Sequence, residues 1–403
     1  MRVEAIRLIP WDVGCSLCDA DFAAIERTLV DDALWEVLPT QPHPEANRVV
    51  AFRSAKPCGD FGIALYVFDD GVALFELSEP SQSFNEPEDF DPDVVISDKL
   101  DANKLLLGHD HGCSETLMQL RARVRGAILR RDVRLSGRAG WENKSFSYVF
   151  TYYFVAVGAA EASQTIEPHL LRLLNPLHAH HISDQFERSA VDLTWPIDRH
   201  LAEDQQSAQV VSIRPNLRIL ASWSTMCVVG GFSDPEQADY RRLQRSLQHS
   251  WFFCYISENH FDELNTRLDA RDVAVGGEVP VSEMVGELRT KISRIRHVRS
   301  SMAAQSDFML FKMLVSSSRL DHMIARAEET ATIFLDRYRI LLDERRLRSS
   351  RSTETILFFF AAVSAFGAYS DVAQNGFNVG RDGWFLVALL IAIILFLMTR
   401  RRF

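Results

Sequence analysis

The residues able to do chemistry fall into a few groups. Cys15 and Cys18, in "CSLC", have the spacing of half a zinc site, and His109, His111 and Cys113, in "HDHGC", could supply the rest. Thiolate and imidazole are the ligands zinc takes. No second CxxC exists in the chain, and ordinary loop and core positions account for the same residues. His178, His180 and His181 could also bind a metal or form the polar end of a helix. The carboxylates Glu79, Glu86, Glu88, Asp89, Asp91 and Asp93 crowd one proline-broken stretch. They lack the glycine and ligand spacing of an EF-hand and read as a solvated acidic loop. The basic run "RARVRGAILRRDVR" (121–134) could hold a phosphate group or present arginine to water.

A further group lies near the C-terminus, in "SDVAQNGFNVGRDGWF" (370–385). If a helix continues past Tyr369, then Asp371, Gln374 or Asn375, and Asn378 share one stripe. An aspartate facing lipid there costs about 2.5–3.5 kcal/mol. Facing a shared watery axis, the same groups would offer oxygen ligands to a hydrated divalent cation such as Mg2+. The alternative is a plain turn, where Asp, Asn and Gly are the usual residues. The chain contains no P-loop, GxSxG or HExxH pattern, and enzymatic activity is not expected.

These groups need elements to position them. At 403 residues the chain has room for two or three compact units. The first 232 residues read as a mixed α/β head. "FGIALYVFDDGVALFELS" (61–78) is two β-rich runs joined at Asp69-Asp70-Gly71, a strong hairpin signal. Strands are expected at Arg48–Phe52, Ser145–Val157 and Leu217–Val229, all rich in β-branched and aromatic residues. Helices are expected at Asp21–Leu38, Ser114–Arg131 and Gln164–Leu174, and Glu79–Asp93 as a loop.

Residues 233–352 form a second regime, a stalk of long helices. Pro235–Arg271 reads as helical with Asp234 as its cap. Over Leu320–Leu341 the apolar positions Leu320, Ile324, Ala327, Ala331, Phe334, Tyr338 and Leu341 make a heptad seam, and Val285, Leu288, Ile292 and Ile295 repeat its rhythm. Such a seam packs on the preceding helix or on other copies of the chain. An unbroken helix over Ser282–Arg351 has its weakest point at "SSSR" (316–319).

Residues 353–403 carry two apolar runs, Thr355–Tyr369 and Trp384–Met398, each of about 15 residues where roughly 20 cross a bilayer unaided. Arg345, Arg346, Arg348 and Arg351 precede the first run, and Arg400, Arg401 and Arg402 follow the second. The positive-inside rule then puts both termini in the cytoplasm and the 370–385 loop outside an inner membrane. The basic collar would lie at anionic headgroups. The expected fold class is thus an α+β cytoplasmic domain followed by long stalk helices and a two-helix C-terminal transmembrane hairpin. In such a compartment the six cysteines are expected as free thiols. The net charge of −10 is uneven, with an acidic head and a basic stem, which argues against nucleic acid as the main partner.

An acidic head, a very long helix, a basic collar, two apolar runs and a basic tail, in that order, resemble the CorA-type divalent-cation transport family and its ZntB-like relatives. That family closes its first span with Gly-Met-Asn, where this chain has Gly376-Phe377-Asn378. The likeness covers roughly residues 235–403. It implies a homo-oligomeric, pentameric membrane channel for divalent cations, gated by the head. Gly376, Phe377 and Asn378 would stand at the pore mouth with Asp371 and Gln374 nearby, and the acidic head would sense cytoplasmic cations. "LYVFDDGVALF" (65–75) is also similar to a family of membrane-anchored proteins of unknown biochemical role. The alternative is a membrane-anchored sensor or effector whose C-terminal segments anchor to or disturb lipid without selective transport.

Overall fold

The computed structural model describes residues 1–14, 16–31, 35–39, 48–54, 62–85, 106–107, 115–128, 150–157, 209–214, 216–222, 225–269, 281–300 and 305–375. The chain divides into two units, Met1–Leu335 and Asp336–Phe403.

The first unit is built on one large sheet. Its centre is β1 (Arg2–Asp12), which pairs antiparallel with β5 (Val72–Ser78) on one side and β9 (Phe150–Ala156) on the other. Beyond β5 the sheet continues through β4 (Gly62–Phe68), β3 (Val49–Ser54) and β2 (Trp35–Leu38), all antiparallel. Beyond β9 come β12 (Thr225–Gly230), β11 (Leu217–Ala221) and β10 (Gln209–Arg214), with β12 parallel to β9. Two-residue strands complete the set: β6 (Gln82–Ser83) against β1, and β7 (Leu106–Leu107) with β8 (Glu115–Thr116).

Alternation along the strands sends side chains to two faces. On one face Ile9, Trp11, Leu65, Val67, Phe75 and Leu77 join residues of α1 (Asp19–Val30) and α2 (Leu117–Ala127) in one core. The opposite face, carrying Glu4, Tyr66 and Glu76, is covered by α3 (Asp234–Asp269). α4 (Val281–Ser300), α5 (Gln305–Ser317) and α6 (Leu320–Asn375) follow.

Several expectations hold locally. Asp69-Asp70-Gly71 turns between β4 and β5, with Gly71 at φ 85°, a value that suits a residue without Cβ. The break near "SSSR" is real: α5 ends at Ser317 and Arg319 takes φ 56° before α6 begins. Val285, Leu288, Ile292 and Ile295 are buried, as are Leu320, Ile324, Ala327, Ala331 and Phe334. The Phe334 ring lies 5.6 Å from that of Phe261 in α3, so the first part of the seam is covered within the chain. Cys18, Cys227 and Cys254 are free thiols.

Other expectations are corrected. The helix expected over Asp21–Leu38 stops at Val30, and Trp35–Leu38 is an edge strand that buries its Trp35. Leu217–Val229 is two strands, because Ser222 turns the chain and donates its N–H to the Thr225 carbonyl. The cap of α3 is Ser233, one residue earlier than expected: its N–H and Oγ both donate to Glu236 Oε2, and the N–H bond is one half of a Ser-x-x-Glu capping box.

The fold class is corrected at its C-terminal end. Among the described residues no helix is long and apolar enough to cross a membrane. Thr355–Tyr369 is the interior of α6. Its 15 residues rise about 22 Å, against roughly 30 Å of hydrocarbon. Trp384–Met398 lies outside the described residues.

Candidate functional site

Charged side chains within the first unit concentrate on the α3 face of the sheet. Gln237, Arg241, Arg245 and His249 recur every four residues, which places them on one slowly drifting stripe of α3. Each meets a polar group of the sheet in turn. Gln237 Nε2 donates to Glu4 Oε2 at 2.7 Å, and Arg241 pairs with the other oxygen of Glu4. Arg245 donates to Glu76 Oε2 at 3.1 Å and to the Tyr66 hydroxyl at 2.5 Å, with its guanidinium over the Tyr66 ring. His249 Nε2 lies 2.9 Å from Asp70 Oδ2, and its ring stacks on Phe68 with centroids 4.1 Å apart.

Lys291, reaching in from α4, closes this ladder at the hairpin tip. Its Nζ is 3.1 Å from Asp69 Oδ1 and 3.6 Å from Asp70 Oδ2. The Asp70 carboxyl is fully buried, which alone would raise its pKa. The charge and hydrogen bond of His249, then Lys291, then the Val72 N–H outweigh that burial and hold it well below the usual carboxylate range. Burial, chiefly, pushes the Tyr66 and Tyr152 hydroxyls up, and Glu76 adds to it. On the opposite face Arg7 Nε donates to Glu79 Oε1 at 2.5 Å, both buried.

The ladder is chemically a set of compensated charges. Each carboxylate faces a cation, and the cation beside Asp69 and Asp70 is the chain's own lysine. Its evident work is to fix α3 and α4 against the strands. No protein-family model, curated protein or solved structure matches this chain. Its function is therefore argued from its own residues.

The residues singled out in the sequence are scattered. Cys18 is the N-cap of α1, where its N–H donates to Asp21 Oδ2 at 3.0 Å. Cys15, His109, His111 and Cys113 lie outside the described residues, as do His178, His180 and His181. Among the described residues no cluster of three or more His, Cys, Asp or Glu could hold a metal ion. Glu79 is buried against Arg7, and the carboxylates from Glu86 to Asp93 fall outside the described residues. Arg121 of the basic run is buried in α2. Asp371 and Gln374 fall in the last two turns of α6, which reaches Asn375; Gly376, Phe377 and Asn378 lie beyond the described residues. Arg345, Arg346, Arg348 and Arg351 are on α6, with Arg351 exposed, and Arg400, Arg401 and Arg402 are outside.

The second unit presents a surface of another kind. Ile356, Leu357, Phe358, Phe359 and Phe360 of α6 are 53–66 % exposed. Successive residues of a helix advance by about 100°, so five in a row cover its whole circumference. This is an apolar girdle and not a one-sided stripe. A single exposed Leu is ordinary on a protein surface, but a contiguous set of large apolar residues marks an interaction site.

Proposed function

We propose that the protein is a membrane-associated sensor or effector, non-enzymatic, in which the α/β head receives a signal and α6 carries the chain to lipid. The observation that supports this reading is the apolar girdle Ile356–Phe360. Moving each such side chain out of water is worth about 1.5–3 kcal/mol, and a girdle recovers that only where an apolar medium surrounds the helix. The reading places the chain at a membrane and makes lipid its partner.

Flotation of the full chain with phospholipid vesicles tests it. The protein should rise with the vesicles, and Phe359→Asp should remain with the aqueous fraction. Wild-type protein that stays below the vesicles would overturn the reading.

A second reading, a homo-oligomeric channel for divalent cations such as Mg2+, has one observation in its favour. α6 stays helical to Asn375, directly before Gly376-Phe377-Asn378, with Asp371 and Gln374 in its last turns. Cation entry into vesicles without leakage of an entrapped dye, abolished by Asn378→Ala, would favour the channel. Dye leakage or no flux would favour the sensor or effector.

A further inference from the structure

The charges of the α3 ladder are balanced, but its hydrogen-bond donors are not all used. Tyr152 of β9 stands on the α3 face, in register with Ile6 of β1 and Met226 of β12. Gln244 Nε2 of α3 donates to Met226 Sδ at 2.9 Å, and the Arg241 guanidinium lies over the Phe154 ring at 5.8 Å. Tyr152 therefore lies beneath this stretch of α3. The polar groups that act on its hydroxyl are Glu76, Arg245, Arg241 and Tyr66, which sets it at the centre of the ladder. Among the described residues that buried hydroxyl has no hydrogen-bond partner, and neither has Nε of Arg241. Arg241 Nη1 and Glu76 Oε1 stand 3.9 Å apart, too far for a direct hydrogen bond and suited to an oxygen atom between them. The Tyr66 hydroxyl accepts from Arg245 and keeps its own proton to give. Burial, chiefly, holds both phenols protonated, so each is a donor. Buried polar groups in a native interior find partners, because leaving one unsatisfied is costly.

Three donors and one acceptor oxygen thus gather where the charges already cancel, Arg241 and Arg245 against Glu4 and Glu76. An anion entering there would stand beside two carboxylates, whereas a hydroxyl group both donates and accepts. We infer that the α3 face of the sheet at Tyr152 binds an uncharged polyol. One hydroxyl of the ligand accepts from Tyr152 and Arg241 Nε and donates to Glu76 Oε1, and a neighbouring one accepts from Tyr66. The rim of the site is open to water, with the side chains of Arg241, Arg245 and Glu4 24, 20 and 17 % exposed. The Tyr152 hydroxyl and Arg241 Nε are sealed beneath it, so Arg241 is the side chain that turns outward to admit the ligand. This inference rests on reading the head as the receiver of a signal, and it names the chemical class of that signal.

Thermal melts of the full chain test it, with myo-inositol, D-glucose or inorganic phosphate added in the millimolar range. One or both polyols should give a saturable rise, about 2–4 °C at roughly five times the dissociation constant, and phosphate none. Tyr152→Phe removes an unpaired buried hydroxyl, so without a probe it should melt at or above wild type. The polyol rise should vanish in that variant. Arg241→Lys keeps a cation beside Glu4 but loses Nε, and should weaken the polyol about tenfold. A rise with phosphate alone would overturn the uncharged class. No rise with any probe, or a lower melting temperature for Tyr152→Phe, would assign the hydroxyl to ordered water and overturn the site. Flotation of the same samples with phospholipid vesicles keeps the two readings apart. A polyol rise without vesicle binding overturns only the membrane reading, and vesicle binding without a polyol rise overturns only this one.

Discussion

His249 Nε2 lies 2.9 Å from Asp70 Oδ2 with both side chains buried, so a charged hydrogen bond sealed from water ties α3 to the turn between β4 and β5. Removing one partner strips the buried other of its nearest charged contact, and leaves Asp70 with only Lys291 at 3.6 Å and the Val72 N–H, at a cost of up to about 3–5 kcal/mol. His249→Ala and Asp70→Asn should each lower the melting temperature of the head clearly. The double variant should cost less than the sum of the two, because each single variant already loses the contact between them. Additive losses in a double-mutant cycle would show that the two residues do not act as a pair.

Acid should weaken the head through the same carboxylate. The pKa of Asp70 in the folded chain is below its ordinary unfolded value of about 3.9. The stabilisation is therefore complete above the ordinary carboxylate range and is lost as pH falls through and below it. Thermal melts of wild type between pH 6 and pH 3 should show falling stability at the acid end. Asp70→Asn should be less stable at pH 6 and show a shallower acid fall. An equally steep fall would place the acid sensitivity elsewhere.

Gly230 ends β12 with φ +127°, and a Cβ built on it would sit 1.8 Å from the Asn216 carbonyl oxygen. That oxygen also accepts the Gly231 N–H at 3.1 Å, so the backbone has little room to retreat. Gly230→Ala should destabilise the head severely, read as a large drop in melting temperature or loss of soluble protein. Gly286, in α4 with nothing within 4 Å of the same added atom, is the control. Gly286→Ala should be neutral or stabilising by up to about 1 kcal/mol.

The two hydrogen bonds from Ser233 to Glu236 close the start of α3, one turn before Gln237 opens the stripe. Ser233→Ala should cost about 1 kcal/mol in urea unfolding. No loss would mean that the sheet contacts alone hold the first turn.

Much of the local structure was legible in the sequence, and the particular residues explain where it was not. Asp-Gly between apolar alternations marked β4 and β5, and the serine cluster marked the break before α6. β1, the centre of the sheet, went unread because Glu4 and Arg7 interrupt its apolar run. Both charges are satisfied by residues distant in sequence: Glu4 by Gln237 and Arg241, and Arg7 by Glu79. The ladder was missed for the same reason, since Glu76 and Asp70 acquire partners only once α3 is folded over the sheet. Its available signal was the four-residue recurrence of Gln, Arg, Arg and His in α3. The transmembrane hairpin was over-read from apolar composition, although the runs were already short of a crossing. The exposed girdle Ile356–Phe360 nonetheless lies within the first of those runs, Thr355–Tyr369.

The central claim, that α6 engages lipid through Ile356–Phe360, is tested most directly by hydrogen–deuterium exchange of the full chain with and without phospholipid vesicles. Peptides spanning Thr355–Phe360 should become strongly protected when vesicles are added, while those of β1, β5 and α3 keep their exchange. Unchanged exchange at Thr355–Phe360, under conditions where the head remains folded, would contradict the account.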